Sequence, residues 1–325
     1  MKKGIKTTAI ILAAIVALLG GFILVISRES KDAPIEIEAS NPFMSPLGKA
    51  QVFGHRSGGG VFPENTLMAF KNCVNSKDFV TDGFEFDLRL TKDNVIVVLH
   101  DATFDRTSNA VEYFGKSKVH VHDYTYEELH ELNMAENYVD ENGDTPYKGL
   151  RGDDIPNDLR IVTLGEVFNY LTSQGRYKYS IDVKEKGEKG KITADGFCGM
   201  IREYGLEEDV IAASFNGDIN KYYDEKYPEI IRSAGIVEVV KFYFASLAGK
   251  KLDPGKINYQ LLQIPADQYL INLGTTKFLN YAHKYGIAVQ YWTINDGDKM
   301  KALADKGADA IITDYPGLAF SMVSG

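Results

Sequence analysis

From residue 50 to the C-terminus, short β-rich runs alternate with helical patterns, and that alternation admits few folds. The spacing predicts strands at Gln51–His55, Gly83–Leu90, Tyr179–Lys184, Val210–Phe215, Ile231–Ile236, Tyr259–Pro265, Ala288–Thr293 and Ala308–Thr313. Helices are expected at 64–75, 164–172, 191–204, 216–226, 237–250, 275–285, 297–306 and 316–323. Eight strands, most followed by a helix, make a parallel sheet and fit a (β/α)8 TIM barrel over residues 49–325. A doubly wound open sheet is the alternative. Against it, Gly58-Gly59-Gly60 after the first strand lacks the spacing of a dinucleotide loop. The polar stretch 104–162 is too long for one connection and reads as an insertion capping the barrel mouth. Its Asp140–Asp144 run lacks the glycine and glutamate positions of a calcium loop and reads as a solvated turn.

Within the second strand, Glu85 and Asp87 are two residues apart and so project from one face of an otherwise apolar run. Two carboxylates on one buried face repel each other unless something positive lies between them, and a hard divalent cation is the simplest candidate. A hairpin follows, with Val95–His100 as its second strand. A two-residue turn at Asp93-Asn94 would set Asp87 across from His100 and gather Glu85, Asp87 and His100 on one face.

Barrel enzymes carry their chemistry at the C-terminal ends of the strands. Those ends supply His55-Arg56, Asp182-x-Lys184 and Trp292 in addition to the hairpin. Asp182 can complete a three-carboxylate oxygen site with Glu85 and Asp87, for one divalent cation, Ca2+ or Mg2+. His55 and His100 suit an acid–base pair, since imidazole titrates near neutrality. Arg56 presents a fork that fits phosphate, and Lys184 can neutralise a phosphate or a developing oxyanion. Trp292 can stack on a substrate headgroup or simply pack the barrel end. His120, His122 and His130 fall in the insertion and read as loop residues, and His283 as an exposed helical one. Cys73 and Cys198 belong to no metal or redox pattern and read as small buried apolar residues.

The N-terminus is set apart from the barrel. Lys2, Lys3 and Lys6 precede an apolar run from Thr7 to Ile26 that approaches bilayer-spanning length and ends in no small-residue cleavage site. Residues 1–27 are therefore expected as a cytoplasmic tip and an uncleaved transmembrane signal anchor, with the rest of the chain outside the cytoplasm; cleavage and secretion is the alternative. Residues 28–48, rich in charge, Pro and Ser, read as a linker. The net charge of −9 argues against a general nucleic-acid or anionic-membrane surface binder.

Taken in order, His55-Arg56, Pro63-Glu64-Asn65-Thr66, Glu85-x-Asp87, Thr91-Lys92-Asp93, His100-Asp101, Arg106-Thr107, Thr163-Leu164-x-Glu166, Ser214-Phe215, Trp292-Thr293 and Asp309 through Asp314-x-Pro316 resemble the signature of glycerophosphodiester phosphodiesterases. The resemblance implies a (β/α)8 barrel that cleaves glycerophosphodiesters to glycerol 3-phosphate and an alcohol with a divalent cation. It implies His55 and His100 as acid and base, Glu85, Asp87 and Asp182 as metal ligands, and Arg56 and Lys184 as phosphate holders. Two positions depart from the family pattern. Ser57 stands where a glycine is usual, which suits the chain only if that residue needs no positive φ, and Asp182 stands where a glutamate is usual. Related barrel enzymes acting on sphingolipid headgroups use an Asp there, which keeps open a phospholipase C/D-like cleavage of intact phospholipid or sphingolipid headgroups. An apolar lip in 104–162 would favour lipid, and that stretch is mostly polar. A non-catalytic surface binding protein is the reading outside enzymology; loss of either histidine or of the acid trio would mark it, and all are present.

Overall fold

A computed structural model describes residues 32–35, 41–268 and 271–323. The expected anchor at 1–27 lies outside the described residues, and among those described no helix is long and apolar enough to cross a membrane.

The chain forms a curled, mostly parallel sheet wrapped by helices, a TIM-barrel-like α/β fold. Its parallel strands are β1 (Gln51–His55), β2 (Gly83–Leu90), β4 (Lys178–Val183), β5 (Val210–Ala213), β6 (Leu261–Ile264), β9 (Ala288–Tyr291) and β10 (Ala310–Thr313), in the spatial order β5-β4-β2-β1-β10-β9-β6. The short β3 (Ile96–Val98) runs antiparallel to β2, and β7 (Asp267–Gln268) pairs with β8 (Ile271–Asn272) as a separate small hairpin that the sequence did not signal. The barrel strands are apolar and buried almost throughout, as parallel strands covered on both faces must be.

Between the edge strands β5 and β6 lie residues 231–233. They make single parallel bridges to each side, Ala212 with Arg232 and Ser233 with Leu261. The predicted strand 231–236 is thus replaced by a bridging segment that turns at once into a helix. Glu238 causes the turn: its carboxylate accepts from the Gly235 N–H at 2.7 Å and also holds the buried Arg232 guanidinium, so the chain is capped into helix where a strand would continue.

The helices are α1 (Leu67–Val74), α2 (Ala110–Phe114), α3 (Tyr126–His130), α4 (Leu164–Gln174), α5 (Gly187–Tyr204), α6 (Gly217–Lys226), α7 (Ile236–Leu247), α8 (Thr276–His283), α9 (Gly297–Asp305) and α10 (Pro316–Val323). Helix α1 starts at Leu67 rather than at 64, because Asn65 is left-handed (φ 57°) and Thr66 caps the helix by accepting from the Ala69 N–H.

The hairpin differs from expectation by one residue in register. Leu88 pairs with Val98 and Leu90 with Ile96, so Leu99, not His100, faces Asp87. The turn holds three residues: Thr91 closes it against Val95, and Asn94 takes the left-handed conformation (φ 63°). The predicted cross-strand pairing of Asp87 with His100 is therefore wrong. A slip of one residue should have sent His100 to the opposite face. It does not, because β3 ends at Val98 and Arg89 holds the His100 carbonyl with Nη2 at 2.8 Å, steering the chain out of the ladder.

The insertion buries its own core of Phe104, Val119, Val121, Leu129, Leu132 and Met134 against Val97 and Leu99 of the hairpin. Asp140 closes the expected turn by accepting from the Asn142 and Asp144 N–H groups. Residues 41–48, read as part of a linker, are instead packed across the N-terminal ends of the strands. Asn41 donates to the Gln260 and Gly286 carbonyls, Ser45 binds Asp309 twice, and Phe43 is fully buried with Ile211, Leu261 and Ala288. His283, expected on the surface, is buried there with Nε2 2.9 Å from Asp309 Oδ2.

Candidate active site

All eight side chains singled out from the sequence, His55, Arg56, Glu85, Asp87, His100, Asp182, Lys184 and Trp292, line one cavity of about 580 Å3 at the C-terminal ends of the strands. The backbone explains the convergence. Asp87 and Asp182 are register partners on the neighbouring parallel strands β2 and β4, and Glu85 is the partner of His55 across β1 and β2. Side chains at paired positions share a face.

Each histidine has a carboxylate at Nδ1. His55 Nδ1 is 2.6 Å from Asp314 Oδ1, and Asp314 is itself fixed by Asn295, whose Nδ2 donates to its Oδ2 at 2.7 Å and whose Oδ1 accepts the Asp314 N–H. His100 Nδ1 is 2.8 Å from Asp101 Oδ1, and Arg106 donates to Asp101 Oδ2 at 2.6 Å. A carboxylate can only accept, so each ring carries its proton on Nδ1 and leaves Nε2 for chemistry. Burial works against charge on His55, but the Glu85 charge and the Asp314 hydrogen bond outweigh it and hold its pKa above the ordinary value. For both aspartates burial opposes ionisation and is overcome: by Arg106 and His100 at Asp101, and by His55 and Asn295 at Asp314, so both titrate below the usual range.

Asp101, Asp314, Arg106, Glu64 and Asn295 are the residues bonded around the candidate site that sequence reasoning left without a role. Arg106 clasps both oxygens of Glu64 at 2.7 and 2.6 Å, and Glu64 in turn receives Arg56 Nη1 at 3.3 Å. A continuous chain, His100–Asp101–Arg106–Glu64–Arg56, therefore crosses the mouth and ties the insertion to the loop after β1. The signal for it was present as the adjacency of His100 and Asp101 and the Pro63-Glu64-Asn65-Thr66 run, but its partners are distant in sequence.

The acids are unequally satisfied. Lys184 Nζ sits between Asp87 Oδ1 at 2.7 Å and Asp182 Oδ2 at 2.6 Å. Asp182 Oδ1 and Asp87 Oδ2 are buried without a hydrogen-bond partner, while Glu85 Oε2 accepts the Arg56 backbone N–H at 3.0 Å. Burial pushes the Glu85 carboxyl up to about 7, with the Asp87 charge adding to it and His55 pulling the other way. Burial also raises Asp182, against the pull of Lys184. At Asp87 burial acts upward too, but Lys184 and His100 prevail and hold it below the ordinary carboxylate range. Lys184 is held above the usual lysine value, burial being outweighed by the two aspartates.

Among the described residues no three such side chains stand close enough to ligate one ion as they lie, with the ammonium wedged between two of them. The donor chemistry nonetheless suits a hard divalent cation: three converging carboxylates, buried oxygens without partners, and a glutamate that burial and the Asp87 charge push up to about 7.

The loop that carries Arg56 is strained. Arg56 (φ 49°) and Ser57 (φ 64°) are both left-handed, ahead of Gly58 (φ 83°). The bend is what turns the Arg56 N–H onto Glu85. Ser57 thus occupies a position that does need positive φ, and its fully buried Oγ has no partner.

Beyond the charged floor, the cavity wall is apolar. Phe215 joins the two parts: Lys184 Nζ is 5.5 Å from its ring centroid, and Trp292 meets it edge-on at 6.0 Å. Past Phe215 the wall continues along α7 with Ile236, Val240 and Phe244.

The model of the glycerophosphoryl diester phosphodiesterase family matches residues 55–318. A glycerophosphodiester phosphodiesterase of Bacillus altitudinis is 26% identical over 270 residues, covering 82% of this chain and 95% of its own. In fold, the chain is similar to a phosphodiesterase of Oleispira antarctica solved with the product sn-glycerol-3-phosphate (TM-score 0.64, 20% identity, 85% of this chain and 98% of the other). It is likewise similar to a glycerophosphodiester phosphodiesterase from Agrobacterium tumefaciens (TM-score 0.63, 19% identity, 84% and 99%).

Proposed function

The chain belongs to the glycerophosphoryl diester phosphodiesterase family, and from that premise we propose that it hydrolyses glycerophosphodiesters to glycerol 3-phosphate and an alcohol. The observation that carries the reading is the pair of carboxylate-anchored histidines facing one cavity whose floor holds Lys184 and three acids.

Hydrolysis of a phosphodiester needs two proton transfers. The attacking oxygen loses a proton as it bonds to phosphorus, and the alcohol gains one as its P–O bond breaks. His55 and His100 share these two tasks through Nε2, each kept in the right tautomer by its aspartate. Arg56 and Lys184 face the phosphate oxygens and favour the charge that builds on them. Trp292 packs against the leaving headgroup. A divalent cation, Ca2+ or Mg2+, held by Glu85, Asp87 and Asp182 would supply further positive charge against the phosphate.

The full-length protein, incubated with glycerophosphocholine and glycerophosphoglycerol, should release glycerol 3-phosphate and stop doing so in chelator. Release from neither substrate, or full activity in both His55→Ala and His100→Ala, overturns the reading.

For the N-terminus, the lysine cluster and the apolar run after it support a single-pass membrane protein with the barrel outside the cytoplasm. Protease added to intact cells should digest the barrel; full protection without prior lysis would oppose this.

A further inference from the structure

Helix α7 is apolar on both of its sides. Ile236, Val237, Val240 and Phe244 are 57%, 64%, 48% and 56% exposed. At 100° per residue they fall, with the exposed Lys241, in one arc of about 140°. The buried Phe242, Tyr243, Ala245 and Ser246 take the opposite arc. Val237 and Lys241 lie outside the lining of the cavity, so the face looks outward from the barrel and is wider than the pocket. A contiguous apolar stripe on the outside of a helix is costly in water and marks a contact surface.

The charge around this face departs from the acidity of the chain as a whole. Lys241 stands within the arc, and the exposed Lys250 and Lys251 follow the helix. The acids beside it are engaged: Glu238 holds Arg232 and caps Gly235, and Asp253 has Lys256 at 3.7 Å. An apolar stripe bordered by lysines suits a helix lying in a bilayer interface, with its ammonium groups at the level of anionic phosphates.

The N-terminal segment leads to the same side. Asn280 of α8 donates to the Ala33 carbonyl at 2.8 Å and accepts the Ile35 N–H at 3.0 Å. The next residue, Tyr281, bonds the Lys250 carbonyl and packs edge-on against Phe242 of α7 at 5.2 Å. The apolar run of the sequence ends at Ile26, seven positions before Ala33, a reach of at most about 25 Å. A domain of this length is about 50 Å across, so so short a tether keeps the bilayer on the side of α7 and α8.

Resting on the single-pass reading of the N-terminus above, we propose that the outward face of α7 docks on the lipid bilayer that the N-terminal run enters. Ile236, Val237, Val240 and Phe244 dip below the headgroups, Lys241, Lys250 and Lys251 meet the phosphates, and the barrel lies on its side against the membrane.

The test places the full-length protein in vesicles of phosphatidylcholine and phosphatidylglycerol, with a polarity-sensitive thiol probe at Val237→Cys or Lys241→Cys. Cys73 and Cys198 are buried, their thiols pushed up to about 12, and stay unlabelled. The reference is Val80→Cys, 58% exposed on the loop between β1 and β2, half-way round the sheet from α7. Both α7 probes should be quenched by a lipid-borne quencher and shielded from iodide supplied on both sides of the membrane; the Val80 probe should do the opposite. Val240→Asp and Phe244→Ser should each lower the ratio of lipid to iodide quenching at the Lys241 probe by about tenfold or more. Iodide reaching the α7 probes as fully as the Val80 probe, in protein that an alkaline wash leaves in the vesicles, overturns the docking and leaves the single-pass reading standing. Equal lipid quenching at all three positions overturns it as well, because no particular face then meets the bilayer. If the wash strips the protein, the single-pass reading fails, and lipid quenching measured before the wash decides the α7 face on its own.

Discussion

The two ends of the barrel are built to opposite standards. At the N-terminal end, Asp309 is fully buried and its carboxylate is fully used: Oδ1 takes the Ser45 N–H, and Oδ2 takes the Val289 N–H and lies 2.9 Å from His283 Nε2. At the C-terminal end, buried carboxylate oxygens lack partners, a glutamate is pushed to near neutrality, and the backbone bends through two left-handed non-glycine residues. Both ends bury charge. The lower one satisfies it fully from within the protein, the upper one only in part, at Asp101 and Asp314. The contrast places stability at the bottom and readiness for an external charge at the top, which is how strain and unmet polar groups concentrate where a ligand is to arrive.

The contrast breaks most sharply at the histidines. His55→Ala or His100→Ala should lower kcat by about 10²- to 10⁴-fold with little change in thermal midpoint, measured by glycerol 3-phosphate release alongside calorimetry. Asp309→Ala should do the reverse. It strips two backbone N–H groups and His283 of their acceptor and should cost about 3 kcal/mol of stability in denaturant titration, with kcat/KM close to the parent's. A large loss of activity at unchanged stability would show that the bottom is not merely structural.

A third test uses pH. The folded protein holds the Glu85 proton up to about 7, whereas an exposed glutamate releases it near 4.5. Between those values the native state binds the extra proton. Glu85 therefore contributes stability that is fully present below about 4.5 and is lost as pH rises through about 7. In chelator, the thermal midpoint should fall as pH is raised across that window, and Glu85→Gln should flatten the slope. A slope unchanged in the variant would remove Glu85 as its cause. The smallest effect is at Ser57. Ser57→Gly relieves a left-handed conformation and removes a buried hydroxyl without a partner, and should stabilise by about 1 kcal/mol. Destabilisation would mean that the hydroxyl has a partner the static structure lacks.

What the sequence made legible follows the same division. Strands β1 and β2 are found at their predicted limits, Gln51–His55 and Gly83–Leu90, because a short β-rich run with apolar residues at strand spacing is a local property of the chain. The i, i+2 acids were legible for the same reason. The hairpin register was not, since it turned on whether Asn94 would enter the left-handed region and lengthen the turn by one residue. Residues 231–236 carried strand composition, but the capping carboxylate of Glu238 decided their fate. The aspartates behind the two histidines were visible as residues and not as partners: Asp314 lies 259 positions from His55, and only the closure of the sheet, β1 against β10, brings them together. The packed segment 41–48 was hidden because it follows a charged stretch without a strand or helix pattern of its own, and its bonds run to strand ends that no local pattern reveals.

That segment also sets how the protein would carry a load. A pull on the chain from the N-terminal side first meets Ala33 and Ile35, which bond the Asn280 side chain on α8, and then Asn41 and Ser45, which pass it to Gln260, Gly286 and Asp309 at the start of β6, β9 and β10. Force is taken up at the floor of the barrel, and the mouth at its far end, with the histidines and the strained Arg56 loop, stays out of the load path.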